Sequence, residues 1–147
     1  MRSMLELLAV LSAALFAGAA LYINVVEHPA RMGLETRVAA MQWAPSYKRA
    51  TWLQARLAVL SLLCGIGAWL LGAGIAWLVA AILVGLVVPF TFVVIMPTNR
   101  KLLTPGRDVA SEEARALLVQ WGRLHAVRTI LSLAGTLLFV WLLLGAR

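Results

Sequence analysis

Residues 57–96 read LAVLSLLCGIGAWLLGAGIAWLVAAILVGLVVPFTFVVIM, forty residues without a charge. A helix that crosses a bilayer needs about 20 mostly apolar residues, so this run holds two spans. Gly72-Ala73-Gly74 lies near its middle, and glycine takes the positive φ that ends a helix. Leu7–Val26 adds a further 20 uncharged residues. That length suits a span better than the short apolar region of a signal peptide. Ile130–Ala146 gives 17 and becomes a full span if its helix begins earlier, through Trp121, His125 and Arg128. The expectation is an all-α integral membrane four-helix bundle. It is a single domain over 1–147, with spans at about 5–28, 53–72, 74–97 and 114–146.

Composition agrees. The chain is 63% hydrophobic and 13% charged, with a mean hydropathy of +0.91. Soluble domains carry about 45–50% apolar and about 25% charged residues. The net charge of +7 sits between apolar runs, which removes nucleic acid as a partner and leaves the lipid bilayer. The lone cysteine, Cys64, excludes an intrachain disulfide framework and a multi-cysteine zinc site. The loops between spans one and two and between spans three and four, with their flanks, hold eleven Lys and Arg. Only Arg2 and Arg147 lie on the other side. The positive-inside rule then predicts a multi-pass protein of the cell (inner) membrane, with both large loops cytoplasmic and both termini outside.

Within the loops, Leu34–Trp43 has the pattern of a short amphipathic helix ended by Pro45. Ser111 before Glu112 and Glu113 reads as the N-cap of the fourth helix. On the first helix, Asn24, Glu27, His28 and Arg31 are spaced i, i+3, i+4, i+7 and share a face. On the fourth, Trp121, His125, Arg128 and Ser132 repeat that pattern. Tyr47, Arg49 and Arg56 approach from the second helix and Pro97-Thr98-Asn99 closes the third. Both histidines therefore fall in one layer on the loop side. Ionisable groups inside a span cost about 2.5–3.5 kcal/mol at its centre, so Arg128 and His125 need partners. Glu27 is the nearest acidic residue expected for Arg128.

Simpler readings stand beside this one. Arg31, Arg37, Lys48, Arg49, Arg100, Lys101 and Arg107 serve as topology signals at the headgroups. Trp43, Trp52, Trp69 and Trp77 fit aromatic belts. Pro29 and Pro89 kink their spans. Glu27, His28, His125 and Arg128 could be a structural network locking helix one to helix four.

The runs Glu27-His28-Pro29-Ala30-Arg31, Trp43-Ala44-Pro45-Ser46-Tyr47-Lys48-Arg49-Ala50, Met96-Pro97-Thr98-Asn99 and Trp121-x-x-x-His125-x-x-Arg128 resemble, in order and spacing, the anthrone-oxygenase-like family of small four-helix membrane proteins. The match is to its bacterial branch. The resemblance covers nearly the whole chain. It implies that Trp121, Arg128 and Pro97-Thr98-Asn99 are family positions. His125 stands where fungal members carry asparagine, and His28 belongs to the Glu-His-Pro-Ala-Arg variant. Fungal members are implied to oxidise anthrones to anthraquinones, chemistry that can run without a cofactor because a substrate carbanion reacts with oxygen itself.

Three functional readings follow. In the first, an oxygenase acts on a lipophilic phenolic or quinone-like molecule. Its catalytic residues are His125 and Glu27 as base and Arg128 as oxygen holder. Asn99 also holds the substrate oxygens, Trp43, Tyr47 and Trp121 stack on its ring, and Asn24 and His28 complete the pocket. No cofactor is its leading expectation. In the second, His28 and His125 hold haem or a transition metal. In the third, the chain is a non-catalytic membrane subunit or small transporter. Ala14 and Gly18 permit close helix contact, within one chain or in an oligomer.

Overall fold

A computed structural model describes residues 1–145. Ala146, the end of the fourth expected span, and Arg147, counted on the outer side, lie outside the described residues. Among the described residues there is no strand, and four helices are long and apolar enough to cross a membrane. They are α1 (Arg2–Met32), α2 (Thr36–Ala73), α3 (Ile75–Leu102) and α4 (Glu112–Gly145). The chain is a multi-pass membrane protein. Leu15, Leu63, Phe92, Ile130 and Leu137, all more than half exposed, present the surface that lipid covers.

Local chemistry sets the helix ends. Gly72 and Gly74 take φ of +85° and +96°, and α2 turns into α3 there as the sequence predicts. At the start of α4 the Ser111 hydroxyl accepts the Ala114 amide at 3.2 Å, with Glu112 and Glu113 in the first turn. The Arg115 guanidinium donates to the carbonyls of Leu34, at 3.0 Å, and Met32, which finishes the exposed end of α1.

The prolines act differently from one another. Pro29 and Pro97 each follow one π-helical turn, Ile23–Glu27 and Thr91–Ile95. The extra residue in the turn takes up the missing proline N–H, so both helices continue instead of stopping. Pro89 follows a break at Leu86 in α3, the kink expected there. Pro45 does not end a helix. The expected short amphipathic helix is the first part of α2, which runs through Pro45 without interruption. At 38 residues α2 is about 57 Å long, well beyond the ~30 Å hydrocarbon core. Its leading turns therefore reach past the lipid tails, and Met41 and Pro45 are both exposed, where water can satisfy the freed Met41 carbonyl.

Each helix packs mainly on two neighbours: α1 on α2 and α4, and α3 on α2 and α4. Small residues make the contacts close, as in membrane bundles generally. A Cβ on Gly65 would come within 2.7 Å of Ala81 Cβ, and one on Gly135 within 2.6 Å of Val84 Cγ2. At the end near the termini Trp77, Phe139, Ala9 and Ala80 pack together. At the loop end Ile23, Trp43, Ile95 and Trp121 do so. Trp43 and Trp77 are thus core residues and not members of an aromatic belt, because the close α-helical approach leaves their rings inside the bundle. Trp52 and Trp141 are exposed.

Candidate functional site

The fourth helix supplies the floor of the polar layer. Trp121, His125, Arg128 and Ser132 are all buried, as their spacing on one stripe requires. From α1, Asn24 reaches across. Its Nδ2 donates to the Gly122 carbonyl at 3.1 Å. Because a carbonyl only accepts, that bond fixes the amide orientation and leaves Oδ1 facing His125 and Thr129. Thr129 donates to Oδ1 at 2.5 Å, and His125 Nδ1 lies 2.7 Å from it. His125 therefore carries its proton on Nδ1 and presents the Nε2 lone pair, which makes no hydrogen bond to the described residues.

The expected pair between Glu27 and Arg128 does not form. The Glu27 carboxylate binds Arg31 and accepts from Ser46 at 2.5 Å, since Arg31 lies one turn further along α1. Arg31 also donates to Gln42 and approaches His28 Nδ1 at 3.3 Å. It is 3% exposed, so it is a buried member of the layer and not a headgroup signal. Arg128 instead donates to Gln54 Oε1 at 2.8 Å and lies 5.5 Å from the Phe16 ring centre. No carboxylate pairs with it among the described residues.

A small cavity of about 10 Å³ sits among these groups, lined by residues that include Glu27, Arg31, Trp43, Gln54, His125 and Arg128. Trp121 and Tyr47 also line it. Trp43 stacks on Tyr47 with ring centres 5.0 Å apart and meets Trp121 edge-on at 5.8 Å. Three buried donors of the lining residues have no partner among the described residues: Trp43 Nε1, Gln54 Nε2 and Arg128 Nε. An unpaired buried donor costs about 1–3 kcal/mol and a charged one more. Two neutral donors, Trp43 Nε1 and Gln54 Nε2, and one on the Arg128 cation are thus left without a partner on residues that line one small cavity.

All three residues expected to be catalytic, Glu27, His125 and Arg128, line the cavity, as do Trp43, Tyr47 and Trp121. Asn24, His28 and Asn99 do not. Asn24 orients His125. His28 stands behind Trp121, ring centres 5.2 Å apart, against Gly122, where a Cβ would come within 2.6 Å of its Cδ2. Asn99 is wholly buried on α3 with both amide atoms unpaired. Arg49 and Arg56 are exposed, and Arg56 stacks on Trp52 at 3.4 Å. Sequence reasoning passed over Ser46 and Gln54. The signal for Gln54 was its place on the stripe that Ala58 and Ser61 continue at i+4 and i+7. For the metal reading, no three His, Cys, Asp or Glu side chains come together among the described residues, and both histidine Nδ1 atoms are engaged by Arg31 and Asn24.

Residues 43–138 match the family model described as anthrone oxygenase. The chain belongs to the anthrone oxygenase family. Its curated relatives include anthrone oxygenase tpcL of Aspergillus fumigatus, 40% identical over 70 residues, 46% of this chain and 44% of that protein. An anthrone oxygenase of Claviceps purpurea is 34% identical over 73 residues, 44% of this chain and 42% of the relative. Anthrone oxygenase ptaC of Pestalotiopsis fici is 38% identical over 69 residues, 41% of this chain and 49% of the relative. The matched stretch spans less than half the length of each. No solved structure matches the chain. The family match takes in Trp43, Gln54, Trp121, His125 and Arg128, and so the α2 and α4 walls of the site.

Proposed function

We propose that this member of the anthrone oxygenase family is a membrane-embedded oxygenase acting on a lipophilic substrate whose acidic methylene is conjugated through its rings to a carbonyl, of the anthrone class. The observation that carries this reading is Arg128: a buried guanidinium with no carboxylate partner among the described residues, among unpaired donors. His125 Nε2 takes the proton from the enol form of that pair, at the oxygen end. The electron pair left behind is shared between the oxygen and the former methylene carbon, and Arg128, with the Gln54 and Trp43 donors, holds the oxygen as it becomes negative. The carbanion gives its electrons to O2 and forms a C–O bond, and the peroxide oxygen takes back the proton held on His125, giving a hydroperoxide. Loss of the remaining methylene hydrogen with breakage of the O–O bond releases water and leaves a second carbonyl. One O2 is consumed per substrate: one atom enters the product and the other leaves as water. The substrate supplies both electron pairs, so the chain needs to supply only a base, an oxyanion receptor and a dry site.

The distribution of Lys and Arg supports the cell membrane with both large loops cytoplasmic, which puts the site in the cytoplasmic half of the bundle. Oxygen uptake by purified protein with 1,8-dihydroxyanthrone tests the function, with the uncatalysed oxidation subtracted. The expected result is one O2 per quinone formed and one 18O atom incorporated from labelled O2. A rate equal to the protein-free background would overturn the reading.

A further inference from the structure

The polar cavity of about 10 Å³ has room for one water and not for a ring. A second cavity, of about 90 Å³, adjoins it. It is lined by apolar residues including Phe16, Ala58, Val88, Phe92 and Met96, and by one charged side chain, Arg128. Thr51 and Arg128 line both cavities, so Arg128 closes the inner end of the apolar one. Two of the other lining residues, Ala55 on α2 and Phe92 on α3, are exposed, and Phe92 is 65% so. The mouth therefore lies on the lipid-facing surface, between α2 and α3. The backbone on the α3 side is irregular. The helix breaks at Leu86, Pro89 has no N–H to give, and Phe92 sits in the π-helical turn Thr91–Ile95, a local widening that often marks functional sites.

We infer that the substrate enters sideways from the bilayer through this cleft between α2 and α3, its ring body in the apolar cavity and its ionisable oxygen on Arg128. This deepens the oxygenase reading and rests on it. The occupant is a flat lipophilic acid with a carbonyl or phenol oxygen at one end. The apolar walls reject a polar body, and the single cation with no carboxylate partner among the described residues rejects a neutral hydrocarbon end. A ring system longer than the cavity projects past Phe92 among the acyl chains, where it costs nothing in desolvation.

The test uses the full chain in phosphatidylcholine nanodiscs with two probes. Binding of unreactive 1,8-dihydroxyanthraquinone is read from its absorbance at equilibrium, and turnover of 1,8-dihydroxyanthrone from oxygen uptake. Ala55→Trp plugs the mouth from an exposed position, Thr91→Phe fills the cavity, and Ala134→Trp adds the same bulk to an exposed position on α4. Both α2/α3 variants are expected to weaken quinone binding at least tenfold and to lose turnover in step, while Ala134→Trp stays within twofold of the parent. If Thr91→Phe unfolds, Ala55→Trp decides alone. Parent-like quinone binding in Ala55→Trp would overturn the lateral route, leaving the cavity to a lipid chain. If the parent binds the quinone, the plugged variants lose it and the anthrone is not oxidised, the site stands and the oxygenase reading falls.

Discussion

Arg31 and Arg128 are both buried arginines, 3% and 7% exposed, and they are compensated in opposite ways. Arg31 has Glu27, Gln42, Ser46 and His28 around it; Arg128 has one amide oxygen. Charge on Arg31 therefore belongs to the fold, and charge on Arg128 to whatever binds. Glu27→Gln leaves Arg31 buried without its carboxylate and is expected to cost about 3 kcal/mol, near the low end for breaking a buried pair. A lowered unfolding temperature in detergent would show it. Asn24 is a positioning residue. Asn24→Leu removes the acceptor that holds the His125 proton on Nδ1, so kcat should fall about tenfold or more with KM nearly unchanged. A merely structural role would move the unfolding temperature and leave kcat per folded molecule alone.

At the scale of the helix, two glycines do different work. Gly74 holds φ at +96°, so Gly74→Ala should destabilise by more than about 1 kcal/mol through backbone strain alone. Gly122 has an ordinary helical backbone, but its Cβ site is filled by the His28 ring. Gly122→Ala should cost about 1–3 kcal/mol by pushing that imidazole off Trp121. A second substitution, His28→Ala, should recover most of the loss, as a double-mutant cycle of unfolding temperatures would reveal. The number of spans, the Gly72–Gly74 turn, the Ser111 cap and the buried stripe on α4 were legible from the chain, because each depends on neighbours a few residues away. The partner of Arg128 was not. Glu27 has Arg31 one turn along its own helix, and Gln54 comes from another helix by the register of α1 against α2, which no local pattern encodes. The continuity of α2 through Pro45 was hidden for a related reason: a proline ends a helix only where the freed carbonyl lacks another partner.

For the whole molecule, the arrangement of four helices gathers Glu27, Arg31, His125 and Arg128 into a polar layer at the loop end, beside an apolar cavity between α2 and α3. The two sides of the membrane can be told apart with single cysteines in a Cys64→Ser background. Gly106→Cys, in the loop between α3 and α4, should be labelled by an impermeant maleimide only after the cells are opened; labelling of intact cells would reverse the orientation. The central claim is that Arg128 is kept unpaired for the substrate and not for the fold. The most direct test measures Arg128→Met beside the parent chain, thermal unfolding and quinone binding on the same samples. Methionine keeps the apolar stem of the side chain and removes a buried charge that no described carboxylate balances. The account predicts an unfolding temperature equal to or above the parent's, with quinone affinity lower by about tenfold or more, the scale of one lost hydrogen bond from a charged group. An unfolded Arg128→Met protein, or a folded one that binds the quinone as the parent does, would contradict it.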